Sequence, residues 1–207
     1  MSDYLLNNWN DLTHSLPIIK TELYQNLTDL YNSEDRFYHN LSHIEALLKL
    51  SEEHQHLLES QESIDFVIWY HDAIYDASKS NNEEESAQLA KKDLAKLGLD
   101  TNIIENCYDL IIATKTHQLS KDLDSFDSQF LLDIDLSILA SERDQYIEYT
   151  QHIRKEYTIY PDSIYKEGRK KVLRHFLEME HIYKTELFQN LWEFRAKENL
   201  SYEISLL

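Results

Sequence analysis

Two glycines, Gly98 and Gly168, and two prolines, Pro17 and Pro161, are all the turn-forming punctuation that 207 residues carry. Sheets need frequent tight turns built on such residues. Helices joined by polar loops do not, so the scarcity predicts an all-α fold. It also removes function classes. Neither a GxGxxG fingerprint nor a P-loop can be written with two isolated glycines, which excludes the usual glycine-rich phosphate cradles. Hydrophobic residues make up 42% of the chain, enough for a sizeable core. No internal repeat, low-complexity tract or linker interrupts it, so the expectation is a single helical domain over residues 1–207 with peripheral N- and C-terminal helices.

Twenty Lys and Arg residues face 38 Asp and Glu, for a formal charge of −18. Most of such a surface repels duplex nucleic acid and anionic lipid. A small phosphorylated substrate, including a nucleotide, stays open as a partner, because a metal ion and a few local cations can invert the field inside one cleft. Cys107 is the single cysteine, which excludes an internal disulfide and a cysteine-based zinc site. The start Met1-Ser2-Asp3-Tyr4 lacks the basic and apolar regions of a signal peptide. No apolar run approaches the ~20 residues that cross a bilayer. These features predict a protein of the cytoplasm, with no membrane partner.

Apolar spacing places a short helix over 3–13, with Leu5, Leu6, Trp9 and Leu12 on one side. Pro17 is expected to open a second helix. A polar connection over 33–40 leads to a third helix at about 41–59 and a fourth at about 62–75. The acids Glu83, Glu84 and Glu85 suit the first turn of a fifth, and Gly98 suits its C-terminal cap. Further helices are expected over 101–118, an apolar segment over 129–140, then 142–158, 162–180 and 184–198. Exposed aromatics in the last helices offer a face for a homodimer, and core packing accounts for them equally well.

Chemistry concentrates in Phe66-Val67-Ile68-Trp69-Tyr70-His71-Asp72-Ala73-Ile74-Tyr75. The run reads as a buried helix, and burying an imidazole and a carboxylate is costly unless something satisfies both. A divalent metal would do so. His43 upstream and Asp135 downstream, each in its own apolar setting, complete a candidate ligand set with His71 and Asp72. Two imidazoles and two carboxylates suit Mn, Fe, Co, Ni or Zn, with Mg also left open, better than calcium. Such an ion activates water and polarises a phosphoryl oxygen.

These residues resemble the signature of the HD-domain superfamily of metal-dependent phosphohydrolases: a histidine, then His-Asp, then a distant aspartate. Several local runs look like a compact bacterial branch of predicted HD phosphohydrolases. They are Tyr38-His39-Asn40-Leu41-Ser42-His43-Ile44, His71-Asp72-Ala73-Ile74-Tyr75-Asp76, Asn82-Glu83-Glu84-Glu85-Ser86-Ala87 and Leu132-Asp133-Ile134-Asp135-Leu136. The resemblance extends over nearly the whole chain. It implies an all-helical core with one or two metals, held by His43, His71, Asp72 and Asp135, and phosphoester hydrolysis. It prefers Asp135 to Asp133, because Leu136 follows directly, and leaves Asp133 as a hydrogen-bond partner for a ligating histidine. One residue of register would exchange the two.

The remaining candidates carry both a functional and a plain reading. His117 ends helix six, where a cation suits the dipole; it could also bind a second metal or protonate a leaving group. His39 is a pocket residue or a loop side chain. Glu83 is a solvated helix start or a base that orients water. Arg36 and Lys115 sit beside motif residues and, with Arg154 and Lys79, are the cations available to hold phosphate. Two rival functions use the same ligands. A di-iron oxygenase would recruit His117 and His39 to a second iron, and a nucleotide-sensing module would bind without turnover.

Overall fold

The computed structural model describes residues 3–14 and 20–207. Pro17 lies outside them. Among the described residues every regular element is helical, as the glycine and proline count predicts. The helices are α1 (Asp3–Leu12), α2 (Lys20–Tyr31), α3 (Leu41–Glu53), α4 (Gln61–Tyr70), α5 (Asn82–Leu97), α6 (Thr101–Thr114), α7 (Phe126–Asp135), α8 (Arg143–Glu156), α9 (Asp162–Glu178) and α10 (Glu186–Leu206). Short 3-10 turns cover Gln55–Leu57, Lys121–Leu123 and Ser137–Ala140. No described helix is long and apolar enough to cross a membrane. The chain forms two compact units, Met1–Ser128 and Gln129–Leu207, and α7 runs across their boundary.

The first unit is organised around α4. Seven consecutive residues, Ile64 to Tyr70, are buried, so the helix is enclosed on every side. A helix this apolar all round is stable only in that setting. It packs against α3, α5 and α6. Ser60 begins it, its hydroxyl accepting from the Ser63 amide. Trp69 meets Trp9 edge-on at 5.4 Å and Tyr24 at 5.9 Å, and its indole N–H donates to the Asn8 amide oxygen at 2.9 Å. Large side chains buried this fully each contribute about 1.5–3 kcal/mol of hydrophobic stabilisation. Asn40 caps α3 by accepting from the Ser42 amide, which places His43 in that helix's first turn. Gly98 ends α5 at φ 81°, a left-handed backbone that a residue with a Cβ rarely adopts.

The second unit is built from the end of α7, the turn at 137–140, and α8 to α10. Helix α10 packs on that turn and on α8 and α9. Phe188 stacks on Trp192 at 3.9 Å, and Asn199 donates to the carbonyls of Leu139 and Ser141. Arg169 of α9 forms a paired hydrogen bond with Glu203 of α10, at 2.7 and 3.0 Å.

Several boundaries differ from the periodicity reading. Helix α3 stops at Glu53, and α6 stops at Thr114 rather than 118. Most consequential is α4. It ends at Tyr70, so His71 and Asp72 lie at and beyond its C-terminus instead of inside a helix running to 75.

Candidate metal centre

Helix α4 ends where side chains from elsewhere in the chain capture its carbonyls. The last carbonyls of a helix have no partner within it and must find one outside. The Tyr31 hydroxyl donates to the Trp69 carbonyl at 3.1 Å. The His71 Nδ1–H reaches back to the Ile68 carbonyl at 2.9 Å. Arg36 donates to the carbonyls of Asp72 and Ala73 at 2.6 and 2.7 Å. Beyond them the Ser86 hydroxyl holds both the amide and the carbonyl of Ile74, and Asn82 does the same for Asp76. The turn over 71–76 is thus moulded by side chains from the 33–40 connection and from the start of α5.

This turn brings three ligand atoms together. His43 Nε2 lies 3.3 Å from His71 Nε2 and 3.8 Å from Asp72 Oδ2, and His71 Nε2 lies 3.2 Å from Asp72 Oδ2. Both imidazoles are buried, at 7% and 3% exposure, while Asp72 is half-buried. The point equidistant from the three atoms is about 2.0 Å from each, which matches the ~2.0–2.2 Å bonds of zinc-like ions to nitrogen and oxygen.

The donor chemistry fits a cation as well as the distances do. With its Nδ1–H on the Ile68 carbonyl, a neutral His71 presents a lone pair at Nε2. That lone pair and the Asp72 oxygen are two acceptors 3.2 Å apart, an arrangement that repels unless a proton or a cation lies between them. The cluster also sits at the C-terminus of α4, the negative end of its dipole.

His39 stands at the edge of this cluster. Its ring lies 6.2 Å from that of His43 and stacks on Tyr75 at 4.3 Å, with Tyr38 packed 5.0 Å from both histidines. Arg36 is buried, and its terminal nitrogens are bonded to the carbonyls of His39, Asp72 and Ala73, which shapes the site from behind. Lys115 donates to both oxygens of Glu84 at 2.6 and 2.8 Å and approaches Glu83 at 3.6 Å. The hydrogen bond from Lys115 holds the Glu84 carboxyl below its ordinary range, and in return raises the Lys115 ammonium. Glu83 and Glu84 occupy the first turn of α5, close in sequence to the Ser86 and Asn82 that hold the turn. His117 lies in the turn after α6 with φ 50° and donates its amide to the Ala113 carbonyl at 2.9 Å. A left-handed residue there is more often glycine or asparagine, so periodicity alone ran the helix too far. Lys79 lies in the loop before α5 and pairs with Asp76 at 3.5 Å.

The second unit holds the other candidates. Asp133 is fully buried, and its two oxygens accept from the Lys184 amide, the Thr185 amide and the Thr185 hydroxyl. Its carboxylate therefore fixes the entry to α10. Asp135, two residues on, closes α7 and is half-buried. Arg154 ties the end of α8 to the start of α9, bonding Asp162 at 2.6 Å and the carbonyls of Tyr157 and Tyr160. Motif reading had no means of finding Tyr31, and it picked out the run holding Asn82 and Ser86 without the role those two play, which lies in the carbonyls and amides they meet.

No protein-family model, curated protein or solved structure matches this chain.

Proposed function

We propose that this protein is a metal-dependent hydrolase of a small phosphoester, with a nucleotide or related compound as the substrate class. The observation that carries the reading is the convergence of His43 Nε2, His71 Nε2 and Asp72 Oδ2 within bonding reach of one point. The resemblance of the surrounding runs to HD-domain proteins supplies the reaction class. Those three side chains would hold a divalent ion, for which Mn, Fe, Co, Ni, Zn and Mg are the candidates.

When bound, the ion supplies activated water and neutralises charge on the phosphoryl group. The chain's own residues do the rest. The Ile68 carbonyl keeps the His71 imidazole in its ligating tautomer. Glu83 orients the attacking water, and His39 or His117 protonates the leaving oxygen. Lys115 meets the substrate phosphate by exchanging one of its carboxylate partners for it. The proposed setting is the cytoplasm. There the lone Cys107, buried and with its thiol pushed up to about 12 by that burial, stays reduced and inert.

The test combines elemental analysis with a phosphate-release screen over nucleotides and other phosphoesters, on protein equilibrated with Mn, Co or Zn. The expected result is metal-dependent turnover of at least one class, abolished together with metal retention in His71→Ala and Asp72→Ala. Metal-loaded protein that turns over no phosphoester overturns the hydrolase reading. Unchanged metal retention in both variants overturns the ligand set.

A further inference from the structure

We infer that Arg36 is the positioning residue of the metal centre, clamping the segment that leads to His43 onto the turn that carries His71 and Asp72. The inference rests on the metal-centre reading above. One terminal nitrogen of the guanidinium donates to the His39 carbonyl at 3.0 Å and to the Asp72 carbonyl at 2.6 Å. The other donates to the Ala73 carbonyl at 2.7 Å. The His39 carbonyl belongs to the residue just before Asn40, the cap of α3, so fixing it fixes the first turn of α3 and with it His43. The Asp72 and Ala73 carbonyls belong to the ligand turn itself. A single side chain therefore sets the separation between the two segments that must bring their ligand atoms to about 2.0 Å from a shared point, the reach of a metal–nitrogen bond.

The surroundings suit a fixed cation. Arg36 is 8% exposed and lies over the Tyr31 ring at 4.9 Å and the Tyr75 ring at 5.7 Å. Those rings are themselves anchored: the Tyr31 hydroxyl holds the Trp69 carbonyl, and Tyr75 stacks on His39. Only a planar fork with several donors in fixed directions spans three carbonyls on two segments. A lysine ammonium is a compact point charge on a flexible stem and cannot reproduce that span. A side chain so held is poorly placed to leave its carbonyls for a substrate phosphate, so the assignment replaces a phosphate-binding role for Arg36 with a supporting one.

Arg36→Lys tests this. Cobalt(II) affinity measured against a competing chelator is expected to fall about 10–100-fold, the usual effect of losing an outer support of a metal site. The visible cobalt spectrum is expected to change with it, because the ligand atoms no longer meet at one point. A variant with a lowered metal-free melting midpoint but wild-type cobalt affinity and spectrum overturns the inference, since a purely structural role predicts that pattern. If Arg36→Lys does not fold, the wild-type protein decides. Loaded with zinc and titrated with inorganic phosphate, it is expected to keep the Arg36 guanidinium protons hydrogen-bonded and unshifted in nuclear magnetic resonance spectra. Their displacement by phosphate returns Arg36 to substrate binding and overturns the inference. Wild-type protein that binds no cobalt removes the metal centre and this inference together. Cobalt binding without hydrolysis of any phosphoester removes only the hydrolase reading.

Discussion

At the scale of single residues, the donors that reach a carboxylate decide what it does. Asp133 and Asp135 are nearly interchangeable in a motif, yet Asp133 has both oxygens on the backbone and hydroxyl at the entry to α10. Burial raises its pKa, and the bonds from Thr185 and Lys184 only partly offset that. Asp133→Ala leaves the Lys184 and Thr185 amides without their acceptor. It is expected to cost about 2 kcal/mol, read as a lower urea midpoint at unchanged slope. Asp65 shows the same balance, with a larger rise. Desolvation in the middle of α4 pushes its pKa up to about 6 from 3.8, against hydrogen bonds from Ser51 and Asn8 that pull it down. The folded state then binds this proton more tightly than the unfolded state. The favourable contribution is complete below the unfolded value and is lost as pH rises through about 6, a difference of roughly 3 kcal/mol. In Asp65→Asn that loss is absent. Thermal midpoints measured from about pH 5 to about pH 8 should shift in favour of the variant as pH rises. A constant difference between the two proteins would refute the assignment.

At the scale of elements, ion pairs and caps tie helices that periodicity treats as independent. Arg169 of α9 bonds Glu203 of α10, with side-chain exposures of 10% and 6%, and the hydroxyls of Tyr146 and Tyr149 on α8 join the same network. Removing one partner of a buried pair strands the other's charge, whereas removing both does not. Arg169→Met is expected to destabilise the protein by about 3–5 kcal/mol, and Arg169→Met combined with Glu203→Leu to recover most of it. Denaturant unfolding of the four members of this cycle measures the coupling, and an additive cycle would show the network to be incidental. The end of α4 belongs to the same scale. Tyr31 and the His71 ring take the carbonyls of Trp69 and Ile68, Arg36 holds those of Asp72 and Ala73 just beyond, and so the chain leaves the helix at Tyr70.

For the molecule as a whole, the charge of −18 and the candidate metal centre give separate handles on stability. Self-repulsion among 38 acids opposes compaction and is screened by salt. The melting midpoint should therefore rise as sodium chloride increases from about 20 mM to about 300 mM, where the Debye length falls to below ~10 Å. A ligand that binds only the folded state adds about 2.7 kcal/mol at a hundred times its dissociation constant. Zinc or cobalt at that excess should raise the midpoint by several degrees, and His43→Ala should abolish the rise while keeping the salt response. A metal shift that survives in His43→Ala would mean that the ion binds elsewhere among the many acids.

The helical architecture was legible from residue counts alone, because a chain with two glycines and two prolines has little means of making tight turns. The burial of the segment before His71 was legible too, since an unbroken apolar run must be enclosed. So was the left-handed cap at Gly98, a local property of one residue. Spacing and resemblance put His43, His71 and Asp72 together, and their atoms do meet. Only the tertiary structure decided that the His-Asp pair sits on a turn, that Arg36 faces carbonyls, and that Asp133 serves a helix entry. In each case the deciding partner is a backbone group far along the chain. Every residue carries the same amide and carbonyl, so no side-chain pattern marks which of them will be left unpaired until the fold has formed.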